Sequence, residues 1–142
     1  MKKFEEFIEK EIIRKQTPNK KRALSILKEV KKKKDFLELT LKTISREKMS
    51  PNFIADTCYD TLIELIRAKM FIDGYNAGNS HEAEVSYLRK IGFSEPEVIF
   101  MDDLRYYRNG TKYYGTLLTE IYAMQALDFM NKNYPKLLKL IV

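Results

Sequence analysis

The segment between residues 51 and 75 constrains the fold more than any other part of the chain. Ser50-Pro51 is typical of a helix start, with Ser as the N-cap and Pro at the first helical position. The segment is apolar on nearly all sides of a helix, through Phe53, Ile54, Cys58, Tyr59, Leu62, Ile63, Leu65, Ile66, Met70, Phe71 and Ile72. Other helices must cover such a surface, so the pattern predicts the central helix of a bundle, with Cys58 as a buried small apolar side chain.

The rest of the chain is also predicted to be helical. Gly and Pro are scarce, at 5 and 4 residues, and no long run alternates polar with apolar residues as a strand does. Apolar spacing predicts helices over residues 3–15, 20–46 and from 112 or 116 to 133, and capping motifs predict helices over 79–90 and 94–108. We therefore expect an all-α, up-and-down bundle of about five to six helices. It forms a single domain over 1–142, with 1–18 as an N-terminal helix and 19–142 as the bundle.

Short polar motifs predict where the later helices begin and end. Asn79 with Glu82, and Ser94 with Glu97, have the spacing of capping boxes. Asn109-Gly110 is expected to interrupt or bend a helix, and Pro135 to end the last one.

The charge is concentrated at the front of the chain. Residues 1–46 hold 15 Lys/Arg and 7 Asp/Glu, a net +8 within a formal total of +6. Such a basic front favours a polyanionic partner. The run Lys31–Lys34 is either a solvated helix face or an electrostatic contact surface for RNA or an acidic partner.

The sequence lacks the residue patterns of several kinds of binding site and of membrane segments. With one His, one Cys and no HExxH or CxxC spacing, the chain has no zinc-site pattern, and no Gly-rich phosphate loop is present, so we expect no metal and no cofactor. No apolar run approaches the roughly 18 residues of a membrane span, and the N-terminus has no signal-peptide pattern. A cytoplasmic protein without membrane contact is the expectation.

One segment, residues 101–115, combines two arginines, a lysine and four tyrosines. Arg105 and Arg108 share a helix face, as do Asp102 and Arg105. Guanidinium groups bind phosphates bidentately and aromatic rings stack on bases, so Arg105, Lys112 and Tyr114 are candidate contacts to a nucleotide or nucleic acid. Alternatively, Arg105 pairs with Asp102, Arg108 pairs with Asp60 or Glu64, and the tyrosines pack in the core.

Arg108-Asn109 followed by the pair Tyr113-Tyr114 resembles the signature of HEPN domains (higher eukaryotes and prokaryotes nucleotide-binding). The stretch 74–83, with Ser80-His81, is similar to the loop that joins two helices of that family. The resemblance implies a helical homodimer whose motifs face each other. It also implies a metal-independent endoribonuclease or the toxin half of a pair with a minimal nucleotidyltransferase. Arg108 would hold the scissile phosphate and Asn109 would orient it.

The chain departs from that pattern at Tyr113, where the family has His. Tyrosine, with a reference pKa of about 10, is a poor base for a ribose hydroxyl at neutral pH. The only substitute is His81, whose alternative role is helix-end hydrogen bonding. A partner nucleotidyltransferase would modify Tyr113 or Tyr114. We therefore expect an RNA- or nucleotide-binding component of a toxin–antitoxin-type pair, with Arg108, Asn109 and Tyr113 as the catalytic set if it cleaves RNA.

Two alternative functions stay open at this point. One is a non-catalytic helical interaction module that acts as a dimer, which the missing motif His favours. The other is a basic DNA-binding protein, on the strength of residues 19–34, although no helix-turn-helix spacing accompanies them.

Overall fold

Six α-helices make up most of residues 2–142, which are the residues that this computed structural model describes. The helices are α1 (Phe4–Glu9), α2 (Lys20–Thr43), α3 (Pro51–Asp73), α4 (His81–Ser86), α5 (Glu95–Tyr113) and α6 (Glu120–Ile141). Two 3-10 turns, Arg46–Lys48 and Tyr87–Arg89, and one ribbon of β1 (Arg14–Lys15) and β2 (Tyr75–Asn76) complete the fold. The predicted all-α bundle is confirmed. No helix within residues 2–142 has both the length and the apolar character of a membrane span.

Helix α3 is the centre of the bundle, as its composition predicts, and packs mainly against α2 and α6. Ser50 caps its start by accepting a hydrogen bond from the Phe53 amide. Cys58 is fully buried, and burial raises the pKa of its thiol to about 12. Gly74 ends the helix with φ +84°, and a side chain there would meet the Gln16 carbonyl oxygen at 2.7 Å. Glycine is therefore required where α3 ends.

The N-terminal helix is much shorter than predicted. Helix α1 ends at Glu9, and Glu11 turns the chain with φ +59°. Ile13 is then buried, and β1 pairs antiparallel with β2, with Arg14 opposite Asn76. The spacing of apolar residues over 3–15 suggested one helix because it does not distinguish a helix from a turn that buries the same side chains. The ribbon holds basic residues beside the loop between α3 and α4.

Helix α4, His81–Ser86, is shorter than the helix predicted over 79–90. Ser80, not Asn79, is the N-cap, and its hydroxyl accepts a hydrogen bond from the Ala83 amide. The capping box of Ser94 and Glu97 at the start of α5 is present as predicted.

The expected break at Asn109-Gly110 is wrong, because α5 continues through both residues to Tyr113. Glycine inside a helix costs only about 1 kcal/mol, which tertiary contacts readily offset. The Thr111 hydroxyl donates a 2.8 Å hydrogen bond to Asp56 of α3, which ties the last turn of α5 to the core. A side chain at residue 110 would meet Thr116 Oγ1 at 2.7 Å, so Gly110 lets the following linker fold back over the helix.

The expected end of the last helix at Pro135 is also wrong. Helix α6 begins only at Glu120, after the N-cap Thr119, and runs through Pro135 to Ile141. Proline removes one backbone hydrogen bond, but Leu137 and Ile141 beyond it are buried in the core. Their burial stabilises the helical continuation, because it removes two large apolar side chains from water.

The lysine run belongs to α2, which ends at Thr43 rather than at residue 46. Lys33 pairs with Glu64 of α3 at 2.8 Å. Lys34 pairs with Glu38 of its own helix and lies 4.8 Å from the centre of the Tyr134 ring. Two of the four lysines thus make contacts within the bundle, and Lys31 and Lys32 are exposed.

Candidate functional site

An open cleft of about 480 Å³ lies between the second half of α5 and the start of α4. Its lining residues are Asp60, Asn79, Ser80, His81, Glu82, Arg105, Arg108, Asn109, Lys112 and Tyr113. Five of the six predicted site residues are therefore brought together: Arg105, Arg108, Asn109, Lys112 and Tyr113. They follow the spacing i, i+3, i+4, i+7, i+8, which is one face of a helix. The face exists only because α5 is unbroken at Asn109-Gly110.

Tyr114 lies apart from this basic cleft. It is 82% exposed and lines a neighbouring surface cavity of about 780 Å³ together with Tyr106, Tyr107 and Tyr113. Tyr113 contributes to both cavities. The tyrosines therefore form the border between the basic cleft and an aromatic surface.

Arg108 is held by two carboxylates of α3. Its Nε and Nη2 donate to Asp60 at 3.2 and 3.3 Å, and its Nη1 lies 3.6 Å from Asp56. Partial burial acts to lower the pKa of Arg108, but the hydrogen bond and charge of Asp60, with Asp56, raise it above its usual range. The arginine is cationic, and a quarter of its side chain faces solvent. An incoming phosphate must share it with Asp60 or displace that carboxylate.

The alternative pairing scheme from the sequence is correct for the arginines and wrong for most of the tyrosines. Arg105 donates to Asp102 at 2.7 Å, and Arg108 pairs with Asp60 rather than Glu64. Of the four tyrosines, three are strongly exposed and Tyr107 is 37% exposed. Since these rings do not pack in the core, they stay accessible to a partner or ligand.

His81 does not have the helix-end role that the sequence suggested as its alternative to acting as a base. Ser80 performs the helix-end role, and the imidazole Nδ1 of His81 lies 3.0 Å from the Tyr59 hydroxyl instead. Burial lowers the pKa of His81, and the charges of Arg67 and Lys112 lower it further. Glu84 and Asp60 offset this shift only in part. His81 is thus neutral at pH 7, as a proton acceptor in this cleft must be.

Tyr59 is the contact that sequence reasoning missed. Its side chain is 1% exposed, and burial, with the charge of Glu84, raises the pKa of its phenol, so it stays protonated. In the sequence it is one more large residue of the apolar segment 51–75. Nothing in that pattern separates a tyrosine that only fills the core from one whose hydroxyl reaches a histidine.

The acidic side chains Asp56, Asp60 and Glu64 of α3 have different partners. Asp56 and Asp60 hold Arg108, and Glu64 holds Lys33. Burial raises the pKa of Asp56, against the opposing effects of Thr111 and Arg108. Within residues 2–142 no three His, Cys, Asp or Glu side chains are grouped as metal ligands.

Comparison of the chain with protein-family models, with curated proteins and with solved structures finds no match.

Proposed function

We propose that the chain is an RNA-binding protein of the HEPN kind, whose cleft between α4 and α5 holds a phosphate of the RNA. One observation carries the proposal: Arg108, Asn109, Lys112 and Tyr113 share one open cleft with the neutral His81. Cationic groups for a phosphate, an amide and an exposed ring that can stack on a base are thereby placed together.

The residues have distinct roles in this proposal. Arg108 and Lys112 bind the phosphate, and Asn109 donates to its oxygens or to a neighbouring base. Tyr113, with the Lys112 ammonium 5.2 Å from its ring centre, offers a face for base stacking. RNA cleavage in this cleft requires a base for the ribose 2′-hydroxyl. An imidazole can accept a proton at neutral pH, which favours His81 over Tyr113 for that role.

A second candidate function is a non-catalytic interaction module that acts as a homodimer. It is favoured by the pairing of Arg108 with Asp60 and Asp56, which already compensates the charge of the arginine. Exposed large side chains between the end of α5 and the start of α6, namely Tyr114, Leu117 and Ile121, also favour a protein contact.

Binding of a labelled single-stranded RNA, followed by fluorescence anisotropy at several salt concentrations, tests the first function. We expect Arg108→Ala and Lys112→Ala each to weaken binding about tenfold, since each removes one charge-assisted contact. Lys112→Ala should also reduce the slope of log K against log salt by about 0.7. The matched control is Lys132→Ala, an exposed lysine of α6. RNA binding that is equal in all four proteins would rule out the cleft and leave the interaction module.

The resemblance also proposes a minimal nucleotidyltransferase as partner, which modifies a tyrosine next to the motif. Tyr113 and Tyr114 are 65% and 82% exposed, so both hydroxyls are within reach of another enzyme. Mass spectrometry after co-expression with such a partner should find a nucleotide adduct on one of them. An adduct elsewhere, or none, would contradict this part of the proposal.

A further inference from the structure

A second cavity, of about 340 Å³, adjoins the proposed RNA site. It lies beneath the loop between α3 and α4, with Arg22, Arg67, Phe71 and Tyr75 among its lining residues. His81 lines this cavity as well as the cleft of Arg108, and so does Asn79. The two concavities therefore meet at the histidine.

The free positive charge of this second cavity comes from Arg22. Arg67 is compensated, because its Nε and Nη2 donate to the buried Glu84 at 2.6 and 3.0 Å. Arg22 forms no ion pair with any carboxylate of residues 2–142. Its guanidinium lies 4.4 Å from the centre of the Phe71 ring, and both side chains line the cavity. A guanidinium without a carboxylate partner suits a phosphate.

The basic front of the chain is held at the same rim. Residues 12–28 contain six Lys/Arg, Arg14, Lys15, Lys20, Lys21, Arg22 and Lys28, and no Asp or Glu. The Gln16 amide donates to the Gly74 carbonyl at 2.9 Å, and the Asn19 amide donates to the Phe71 carbonyl at 2.8 Å. Together with the β1–β2 ribbon, these bonds fasten the segment beside the cavity. The backbone of residues 14–19, which carries Arg14 and Lys15, is thus fixed next to residues 71–76 of the cavity wall.

We infer that the second cavity is a separate subsite for single-stranded RNA, in which Arg22 binds a backbone phosphate next to the one held by Arg108. The inference rests on the proposed function and extends it. The RNA strand crosses His81, with one phosphate on the α5 side and a flanking phosphate on the α2 side. Two concavities that meet at one side chain suit a flexible single strand, whereas a base-paired helix presents a regular, convex surface.

The test compares a dinucleoside monophosphate, which has a single phosphate, with an RNA of about eight nucleotides, on the full chain. Arg22→Ala should weaken binding of the longer RNA about tenfold and leave the shorter one unchanged, because only the longer RNA reaches both subsites. Lys42→Ala, an exposed lysine in the last turn of the same helix, is the matched control. Thermal unfolding by circular dichroism verifies that Arg22→Ala is folded.

Each other outcome overturns one claim. Unchanged binding of the longer RNA by Arg22→Ala refutes the second subsite, and so does equal weakening for both lengths. If Arg108→Ala binds both RNAs normally while Arg22→Ala loses the longer one, the proposed function of the α5 cleft fails and the Arg22 site stands. If Arg108→Ala loses both lengths and Arg22→Ala loses neither, the α5 cleft stands alone.

Discussion

The hydroxyl of Tyr59, buried in the central helix, lies 3.0 Å from Nδ1 of His81 at the start of α4. The phenol has either of two roles in this contact. When its O–H donates to Nδ1, the imidazole carries its proton on Nε2. When Nδ1–H donates to the phenol oxygen, Nε2 is free to accept a proton. The availability of Nε2 of His81 as a proton acceptor in the proposed RNA site therefore depends on the direction of its hydrogen bond with Tyr59.

His81 is expected to titrate below its usual pKa of about 6.5, because burial and the nearby charges of Arg67 and Lys112 disfavour the imidazolium. The chain has a single histidine, so its ring resonances in NMR spectra need no assignment. In Asp60→Asn the pKa should fall further, since that carboxylate favours the charged ring. A His81 pKa above 6.5 would contradict the cause we give.

The same shift predicts how stability depends on pH. As the pH falls, His81 is protonated in the unfolded chain before it is protonated in the folded chain. Between the folded pKa of His81 and about 6.5, the unfolded chain therefore binds more protons than the folded chain. The free energy of unfolding should therefore rise with pH across that window and receive no further gain from His81 above it. Urea unfolding at a series of pH values measures this, and His81→Gln should lack that part of the slope.

Asp60→Asn is expected to tighten RNA binding, because the carboxylate competes with phosphate for Arg108. We predict about twofold to fivefold higher affinity, in line with the 1 kcal/mol or less of a partly exposed ion pair. Glu64→Gln is the matched control: it lies one turn further along α3 and pairs with Lys33, outside the cleft. Anisotropy titration with the same RNA measures both. Equal tightening in the two variants would point to a general charge effect instead.

Glu84→Gln should destabilise the fold by about 2 kcal/mol, the cost of removing hydrogen bonds to a charged group. Glu84 is 1% exposed and accepts both hydrogen bonds from Arg67, which the variant leaves without its counter-charge. Chemical denaturation measures the change. In a double-mutant cycle with Arg67→Met, the two losses should be less than additive.

Leu137→Ala tests the continuation of α6 beyond Pro135. Its side chain is 1% exposed, so we expect a loss of about 2 to 4 kcal/mol from the lost apolar burial and the cavity left behind. Leu140→Ala, three residues on and 37% exposed, should cost less than 1 kcal/mol. Similar small losses of unfolding free energy in both variants would show that the part of α6 beyond Pro135 does not pack in the core.

Ion pairs within one helix of the site could be predicted from the sequence, whereas the exact partner of Arg108 on another helix could not. The pairing of Arg105 with Asp102 follows from a spacing of three residues on a helix, and the structure has it. The pairing of Arg108 was narrowed to Asp60 or Glu64 and no further, because both are on the same face of α3. In the structure Glu64 forms an ion pair with Lys33 of α2, and Asp60 is the partner of Arg108.

At the residues that disfavour a helix, prediction from local sequence failed and tertiary contacts decided the structure. Asn109-Gly110 and Pro135 are unfavourable inside helices, and each was expected to interrupt one. Both are tolerated because neighbouring contacts outweigh the local cost: Thr111 bonds to Asp56, and Leu137 is buried. Such contacts join residues far apart in the chain, so local propensity does not contain them.

The sequence alone determined the helical class, the central position of α3 and the candidate residues of α5. The helical class and the place of α3 follow from apolar periodicity, and the candidate residues of α5 follow from the arginines and tyrosines of residues 101–115. All of these are properties of residues close together in the chain. Only the tertiary structure decided that His81 faces the same cleft as Arg108, that Tyr59 contacts that histidine, and that the basic segment 12–28 is fastened beside them. Contacts between residues far apart in the chain depend on how the helices pack around α3. The spacing of side chains along one helix does not specify which residues of another helix they meet.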